Sequence, residues 1–299
     1  MPAAFEKFVL SWLATVAIVQ LKASGFAEYE TICRIHLVPA FGDTPIEGIT
    51  PARVQEFVAD KIAGGLSPRT VANHLHVLRR VLDYAVTCGL VSDNAASTIA
   101  LPRQQRTEMR FLTPAQLRLM VDATTPSWRL LTATAALCGL RKGEQLALRF
   151  TDISIEDRTI RISKSVRNGV VTTPKTAASI GAIPLPDSLV PLLEERRCKA
   201  PDPQALVFCR ADGSYLPDHL PNRVLAAALR MACLPQVRWH DLRHSWVVAH
   251  LQAGTDIPTL QRLGRWKSAD TLLSVYAHVL RAAGGEAAAR LDELLSKEG

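Results

Sequence analysis

No stretch of this 299-residue chain approaches the roughly 18 consecutive apolar residues that a membrane-spanning helix needs. The opening residues, Met1 to Glu6, lack the cationic region, apolar stretch and small-residue cleavage site of a secretory signal. The expectation is therefore a cytoplasmic protein with no membrane partner. The six cysteines, at 33, 88, 138, 198, 209 and 233, form no C-x-x-C pair, which argues against a zinc site or a redox motif. Reduced and mostly buried thiols are expected instead. Internal repeats and low-complexity tracts are also missing.

What remains is a chain with 48% apolar and 21% charged residues, enough to bury a real core in one large domain or two ordinary ones. Its net charge is +7. A basic balance suits a polyanionic partner, although many soluble proteins are mildly basic. Residues 1–106 carry ten Lys and Arg against nine Asp and Glu, while the remainder carries 25 against 19. The excess thus sits in the second part of the chain.

The first hundred residues read as helices. Phe5 to Lys22 and Ala27 to Leu37 are apolar at helical spacing. Thr50-Pro51 and Ser67-Pro68 each place a capping side chain before a proline suited to a first helical turn. They open helices that stop at Gly64-Gly65 and at Gly89. Leu101 to Arg110 is polar, without apolar period, and reads as a linker. Thr113-Pro114 starts another helical run to about Leu148. Ile153, Ile155, Ile160 and Ile162 then alternate as in strands, and Asn168-Gly169 is a two-residue hairpin turn leading to Val170 to Thr173. Ile180 to Leu185 supplies a third strand. Helices return after Phe208, over Asp241 to Leu251, Ile257 to Leu263 and Ala269 to Val279. Glu286 to Glu298 reads as an amphipathic tail helix. The expected fold is mainly α with a small antiparallel sheet (α+β). A helical N-terminal domain over 1–102 and a linker over 103–110 lead to a mixed domain over 111–285 and a helical tail over 286–299.

Four segments hold residues suited to phosphoryl chemistry. In Leu137-Cys-Gly-Leu-Arg141-Lys-Gly-Glu144, Gly139 breaks one helix and leaves Arg141 at the mouth of the next. Free backbone N–H groups there favour an anion, and the guanidinium fork grips two phosphate oxygens. Glu144, three residues on, is placed to pair with Arg141 and fix its rotamer. Taken alone, Arg141 reads as an exposed helix-start arginine. In Trp239-His240-Asp-Leu-Arg243-His244, His240 and Arg243 share a helix face, joining a proton-moving group to a fixed charge. His240 and His244 are also four apart, as metal-binding pairs can be, but the glutamate of H-E-x-x-H and a third ligand are lacking. His244 by itself reads as a packed or half-exposed histidine. Lys175 lies between the second and third strands, where it can reach into a groove or simply be solvated. Finally Ser268 can cap a short helix presenting Tyr276, ten residues after Trp266. A tyrosine hydroxyl with its ordinary pKa near 10 needs neighbouring cations or a base to act as a nucleophile.

The order Arg141, Lys175, His240-x-x-Arg243, Trp266, Tyr276 resembles the catalytic set of the tyrosine recombinase (phage integrase) family, of the two-domain Xer-like type. L-C-G-L-R-K-G-E-Q-L-A-L-R-F-T-D resembles the first-arginine box, T-P-K-T-A-A-S the lysine hairpin and H-D-L-R-H-S the second arginine box. The box before the tyrosine often has histidine where this chain has Trp266. Tryptophan can pack or donate through its indole N–H but cannot shuttle a proton, so only a supporting role is expected for it.

The resemblance implies a DNA clamp built from a helical core-binding domain and a catalytic domain. It implies strand cleavage without metal, ATP or other cofactor: Tyr276 attacks the scissile phosphate, forms a 3′-phosphotyrosyl link and releases a 5′-hydroxyl. Arg141 and Arg243 would hold the non-bridging oxygens, Lys175 would protonate the leaving oxygen and His240 would accept or hold the Tyr276 proton, with Glu144 in support. Lys61, Arg69, Arg79 and Arg80 are candidate contacts to the DNA backbone. The implied partners are double-stranded DNA at a specific site and three further copies in a tetramer, with the tail reaching into a neighbour or packing on its own domain. Without an extra arm-binding domain the chain reads as a simple two-domain recombinase. A type IB topoisomerase and a non-catalytic DNA-binding protein of the same fold are the alternatives.

Overall fold

The computed structural model describes residues 4–101, 110–172, 181–200, 202–270, and then 272, 273, 275, 276, 292, 295 and 296. The chain forms two compact units, Met1–Thr107 and Glu108–Gly299.

In the first unit, α1 (Phe5–Trp12) runs through a π-helical stretch at Leu13–Ala17 into α2 (Ile18–Gln20). Likewise α3 (Ala23–Ile32) passes through Cys33–Leu37 into α4 (Val38–Phe41). Two caps then act as their sequences predict. Thr50 Oγ1 accepts the Arg53 N–H at 3.3 Å at the start of α5 (Pro51–Ala63), and Ser67 Oγ accepts the Thr70 N–H at 3.1 Å at the start of α6 (Pro68–Thr87). The α6 stripe of Val71, Leu75, Leu78, Val81 and Leu82 is buried against Phe5, Val9, Trp12, Leu37 and Phe57. Each such side chain contributes roughly 1.5–3 kcal/mol on leaving water.

The second unit opens with α7 (Pro114–Asp122), whose Thr113 and Gln116 form a reciprocal capping box. Next come α8 (Pro126–Cys138) and the short α9 (Lys142–Leu146), then β1 (Ile153–Ser154) and β2 (Thr159–Ile162). The hairpin of β3 (Ser165–Arg167) and β4 (Val170–Thr172) turns at Asn168 (φ 50°) and Gly169 (φ 76°), both left-handed as this tight turn requires. The third strand, β5 (Gly181–Pro184), does not continue that hairpin. It pairs antiparallel with β2, giving a three-stranded sheet of order β1-β2-β5 beside the separate pair β3-β4. The unit continues with α10 (Val190–Cys198), α11 (Leu220–Met231), α12 (Trp239–Gln252) and α13 (Ile257–Gly264).

Two helices position the site. On α8 every residue from Leu130 to Ala136 is buried, its threonines hydrogen-bonded locally. Against it lies α12, which buries Trp239, Leu242, Arg243, Trp246, Val247 and Leu251 on several sides. Gly139 ends α8 with φ 58°, and a Cβ there would sit 2.4 Å from Trp246 Cδ2. Only glycine lets the chain turn this tightly over the tryptophan. After α13, residues 270, 272, 273, 275 and 276 are helical. Residues 103–109 of the expected linker, residues 173–180 with Lys175, and most of the Glu286–Glu298 tail lie outside the described residues.

Candidate active site

Arg141 occupies the N-cap position of α9, two residues after the left-handed Gly139 that ends α8. Glu144 pairs with it as the three-residue spacing predicts: Arg141 Nη1 lies 2.7 Å from Oε1, and the Arg141 N–H donates to Oε2 at 3.0 Å. Arg141 is partly exposed and Glu144 is buried. Burial alone would raise the Glu144 carboxyl. The charges of Arg265 and Arg141 outweigh it and hold the group below the usual carboxylate range.

Arg238 fastens the start of α12, its N–H donating to Asp241 Oδ2 at 2.7 Å and its Nη2 lying 2.8 Å from Oδ1. That capped start presents His240 to solvent and turns Arg243 inward, where it is 3% exposed. Arg243 Nη1 donates to the Gly139 carbonyl at 2.5 Å, and Nη2 donates to the Gly264 carbonyl. Its guanidinium carbon lies 4.0 Å from the centroid of the Trp266 ring. Burial and the nearby Arg141 charge press its pKa down to about 9, which leaves it charged at neutral pH.

Tyr276 is buried at 2% exposure with Trp246, Val247, Leu260 and Leu272. Its hydroxyl meets Nδ1 of His244, not His240. The His240 ring stands edge-on to His244 with centroids 5.0 Å apart. Burial, then the neighbouring His240, pushes the His244 pKa down to about 4. Burial raises the Tyr276 hydroxyl above its ordinary value, with Arg243 partly offsetting it. Near neutral pH the imidazole is therefore uncharged and the phenol protonated, so the O–H can donate to Nδ1.

Five sequence-selected residues, Arg141, His240, Arg243, Trp266 and Tyr276, thus gather with Glu144 in one cluster, although the first and last are 135 residues apart in the chain. Residues 110–282 match the phage integrase family, and residues 4–62 match the phage integrase N-terminal SAM-like domain. The chain belongs to the phage integrase family. Membership makes it a tyrosine recombinase, an enzyme of site-specific DNA recombination. Among its relatives is a putative prophage phiRv2 integrase of Mycobacterium tuberculosis, 28% identical over 99% of this chain and 80% of the relative. The ICEBs1 integrase of Bacillus subtilis is also 28% identical, over 97% and 83%. Solved structures of the same fold include a Tn1549 transposon integrase with circular intermediate DNA. Its TM-score is 0.81 at 18% identity, covering 97% of this recombinase and 99% of that chain. A lambda integrase dimer on a core site has TM-score 0.75 at 16% identity, covering 92% and 77%.

The four candidate backbone contacts of the first unit differ in their surroundings. Arg69 is exposed, and Lys61 lies 5.3 Å from the Phe57 ring centroid. Arg80 donates to Gln20 Oε1 at 2.6 Å. Arg79 turns inward, donating to the carbonyls of Ala96 at 2.8 Å and Ile99 at 2.9 Å, so its fork holds the fold together.

Two residues of this recombinase's site were missed by sequence reasoning. His244 looked like an ordinary packed histidine, and its one signal was the four-residue step from His240. Arg265 gave none, because a basic residue at a helix C-terminus usually complements the dipole from solvent. Here its side chain is 3% exposed and its Nη2 lies 2.5 Å from Glu144 Oε2.

Proposed function

We propose that this recombinase cleaves one DNA strand by in-line attack of the Tyr276 hydroxyl on the scissile phosphate. The Tyr276 oxygen–phosphorus bond forms as the bond from phosphorus to the 5′-oxygen breaks, leaving a 3′-phosphotyrosyl link. A 5′-hydroxyl from the partner duplex then attacks that link. The bond energy stays in the ester, so the cycle is balanced without an external energy source.

The observation that carries this reading is the convergence of Arg141, Arg243 and Tyr276 on one cluster from three separate helical segments. Phosphoryl transfer depends mainly on positioning and on charge placed where it develops. Arg141, half-exposed and braced by Glu144, and Arg243, braced by two carbonyls, would hold the non-bridging oxygens. The Tyr276 proton would pass to His244, the base its hydroxyl already touches. The exposed His240, beside it, would face the phosphate. Lys175 would protonate the leaving 5′-oxygen. A 5′-bridging thiolate, which needs no proton to leave, should therefore restore cleavage to Lys175→Ala. If the thiolate substrate leaves this variant as slow as the ordinary one, the lysine has another role.

The partner is double-stranded DNA at a recombination site. The helical first domain (1–102) and the catalytic domain (111–285) would bind it as a clamp, with Lys61, Arg69 and Arg80 on backbone phosphates and affinity falling as salt rises. Exchange between two duplexes calls for four active sites, hence a homotetramer on paired sites. The direct test mixes the protein with DNA flanking its own gene, stops with detergent and scores covalent adducts beside Tyr276→Phe. An adduct absent from the variant supports the reading. DNA binding without an adduct, there and across host DNA, would favour a non-catalytic protein of this fold.

A further inference from the structure

Outside the residues assigned to chemistry, one side chain ties the end of the chain that carries Tyr276 to the box that carries Arg141. Arg265 sits at the C-cap of α13 in the left-handed region, φ 56° and ψ 49°, a conformation that side chains other than glycine rarely adopt. A long cation at a helix C-terminus ordinarily extends into water. This one is folded inward: Nη2 donates to Glu144 Oε2 at 2.5 Å and Nη1 to the Leu263 carbonyl at 3.3 Å.

Glu144 thereby holds two arginines at once. Its Oε1 takes Arg141 Nη1 at 2.7 Å, while Oε2 takes both the Arg141 N–H at 3.0 Å and Arg265. The residues flanking Arg265 belong to the same network. The Gly264 carbonyl receives Arg243, and Trp266 lies against the Arg243 guanidinium. One short segment, Gly264-Arg265-Trp266, therefore braces both candidate phosphate-holding arginines, Arg243 directly and Arg141 through Glu144. An unusual backbone conformation combined with a buried, charge-paired side chain is strain maintained beside a functional cluster.

We propose that Arg265 is a positioning residue: through Glu144 it fixes Arg141 relative to the segment that carries Trp266 and Tyr276. The proposal rests on the reading of Arg141 and Tyr276 given above. Without Arg265, Glu144 and Arg141 keep each other, but the pair loses its anchor and the guanidinium no longer stands at a set place relative to the tyrosine. A displacement of about 1 Å in such a site costs on the order of 10²-fold in rate.

The test uses the full chain and Arg265→Gly, which removes the side chain while accepting the left-handed backbone. Arg265→Ala accompanies it, and Arg265→Gly keeps the test decisive if the alanine variant does not fold. In the free protein the guanidinium NMR signal of Arg141, identified by its loss in Arg141→Ala, should be sharp in the wild type and broadened or shifted in Arg265→Gly. On an oligonucleotide that the wild type cleaves, Arg265→Gly should cleave about 10²-fold more slowly at saturating protein, with DNA affinity within roughly twofold. In a Glu144→Gln background the same substitution should add little, because the path it acts through is already cut. An unchanged Arg141 signal, or a loss that simply adds to that of Glu144→Gln, would overturn the proposal even if the variant melts earlier. If Tyr276→Phe still cleaves, the nucleophile assignment fails instead, and the Arg141 signal of the free protein still decides the positioning role.

Discussion

Arg243→Ala should form covalent DNA adduct about 10²–10³-fold more slowly than the wild type while still binding DNA, because the loss falls on charge stabilisation in the transition state. The residue is 3% exposed, and its fork already rests on the Gly139 and Gly264 carbonyls with the Trp266 ring 4.0 Å away, so it is held ready before DNA arrives. Preorganised charge of this kind is not rebuilt by solvent or by a flexible neighbour. Arg243→Lys should recover little, since an ammonium can neither span the two carbonyls nor offer a planar fork to phosphate. Truncation also leaves two buried carbonyls without their donor, at about 1–3 kcal/mol for each. Adduct rates are therefore best compared at a temperature where circular dichroism shows both variants folded. Adduct formation within tenfold of the wild type by a folded Arg243→Ala would remove this arginine from the chemistry.

The second large effect is acid sensitivity between about pH 6.5 and 4. Burial, then the neighbouring His240, holds His244 down to about 4, and burial, followed by His36 and Lys61, does the same to His74 in the first unit. In the unfolded chain both titrate near 6.5. Above that value both states bind no proton at these positions. As pH falls through 6.5 the unfolded chain gains protons that the folded one refuses, so stability declines until about pH 4 and then levels off. Each histidine contributes on the order of 2–3 kcal/mol to this loss, His244 being discounted for its partial exposure. Histidine ring resonances followed by NMR should show two residues titrating near pH 4. His244→Asn should flatten the acid slope of second-unit unfolding and leave that of the first unit alone. Titration of every histidine near 6.5 would contradict this burial.

Local signals carried much of the architecture. Thr50-Pro51, Ser67-Pro68 and Thr113-Pro114 each start a helix because the hydroxyl meets a free N–H and the proline needs none. Asn168-Gly169 turns the β3-β4 hairpin because both residues tolerate positive φ. The Arg141–Glu144 pair was legible because its spacing is helical. The sequence offers Ile180 to Leu185 as a third strand but carries no information on its partner, and β5 pairs with β2. The π-helical stretches at Leu13–Ala17 and Cys33–Leu37 share the apolar pattern of ordinary helix and left no separate mark. His244 and Arg265 depended on tertiary placement: the partner of the first lies 32 residues away and that of the second 121. The boxes identified the candidate arginines, the tyrosine, and Glu144 and Trp266 beside those arginines, but not Arg265 or the contact of His244 with Tyr276.

Tyr276 is the residue expected to be joined to DNA. The chain has four tyrosines, at 29, 84, 215 and 276, so the question has a small set of answers. The most direct measurement is to trap the adduct in detergent, digest protein and DNA, and locate the nucleotide-bearing peptide by mass spectrometry. A single modified peptide carrying a 3′-phosphoryl nucleotide on Tyr276 is the expected result. A nucleotide on Tyr29, Tyr84, Tyr215 or any serine would contradict it.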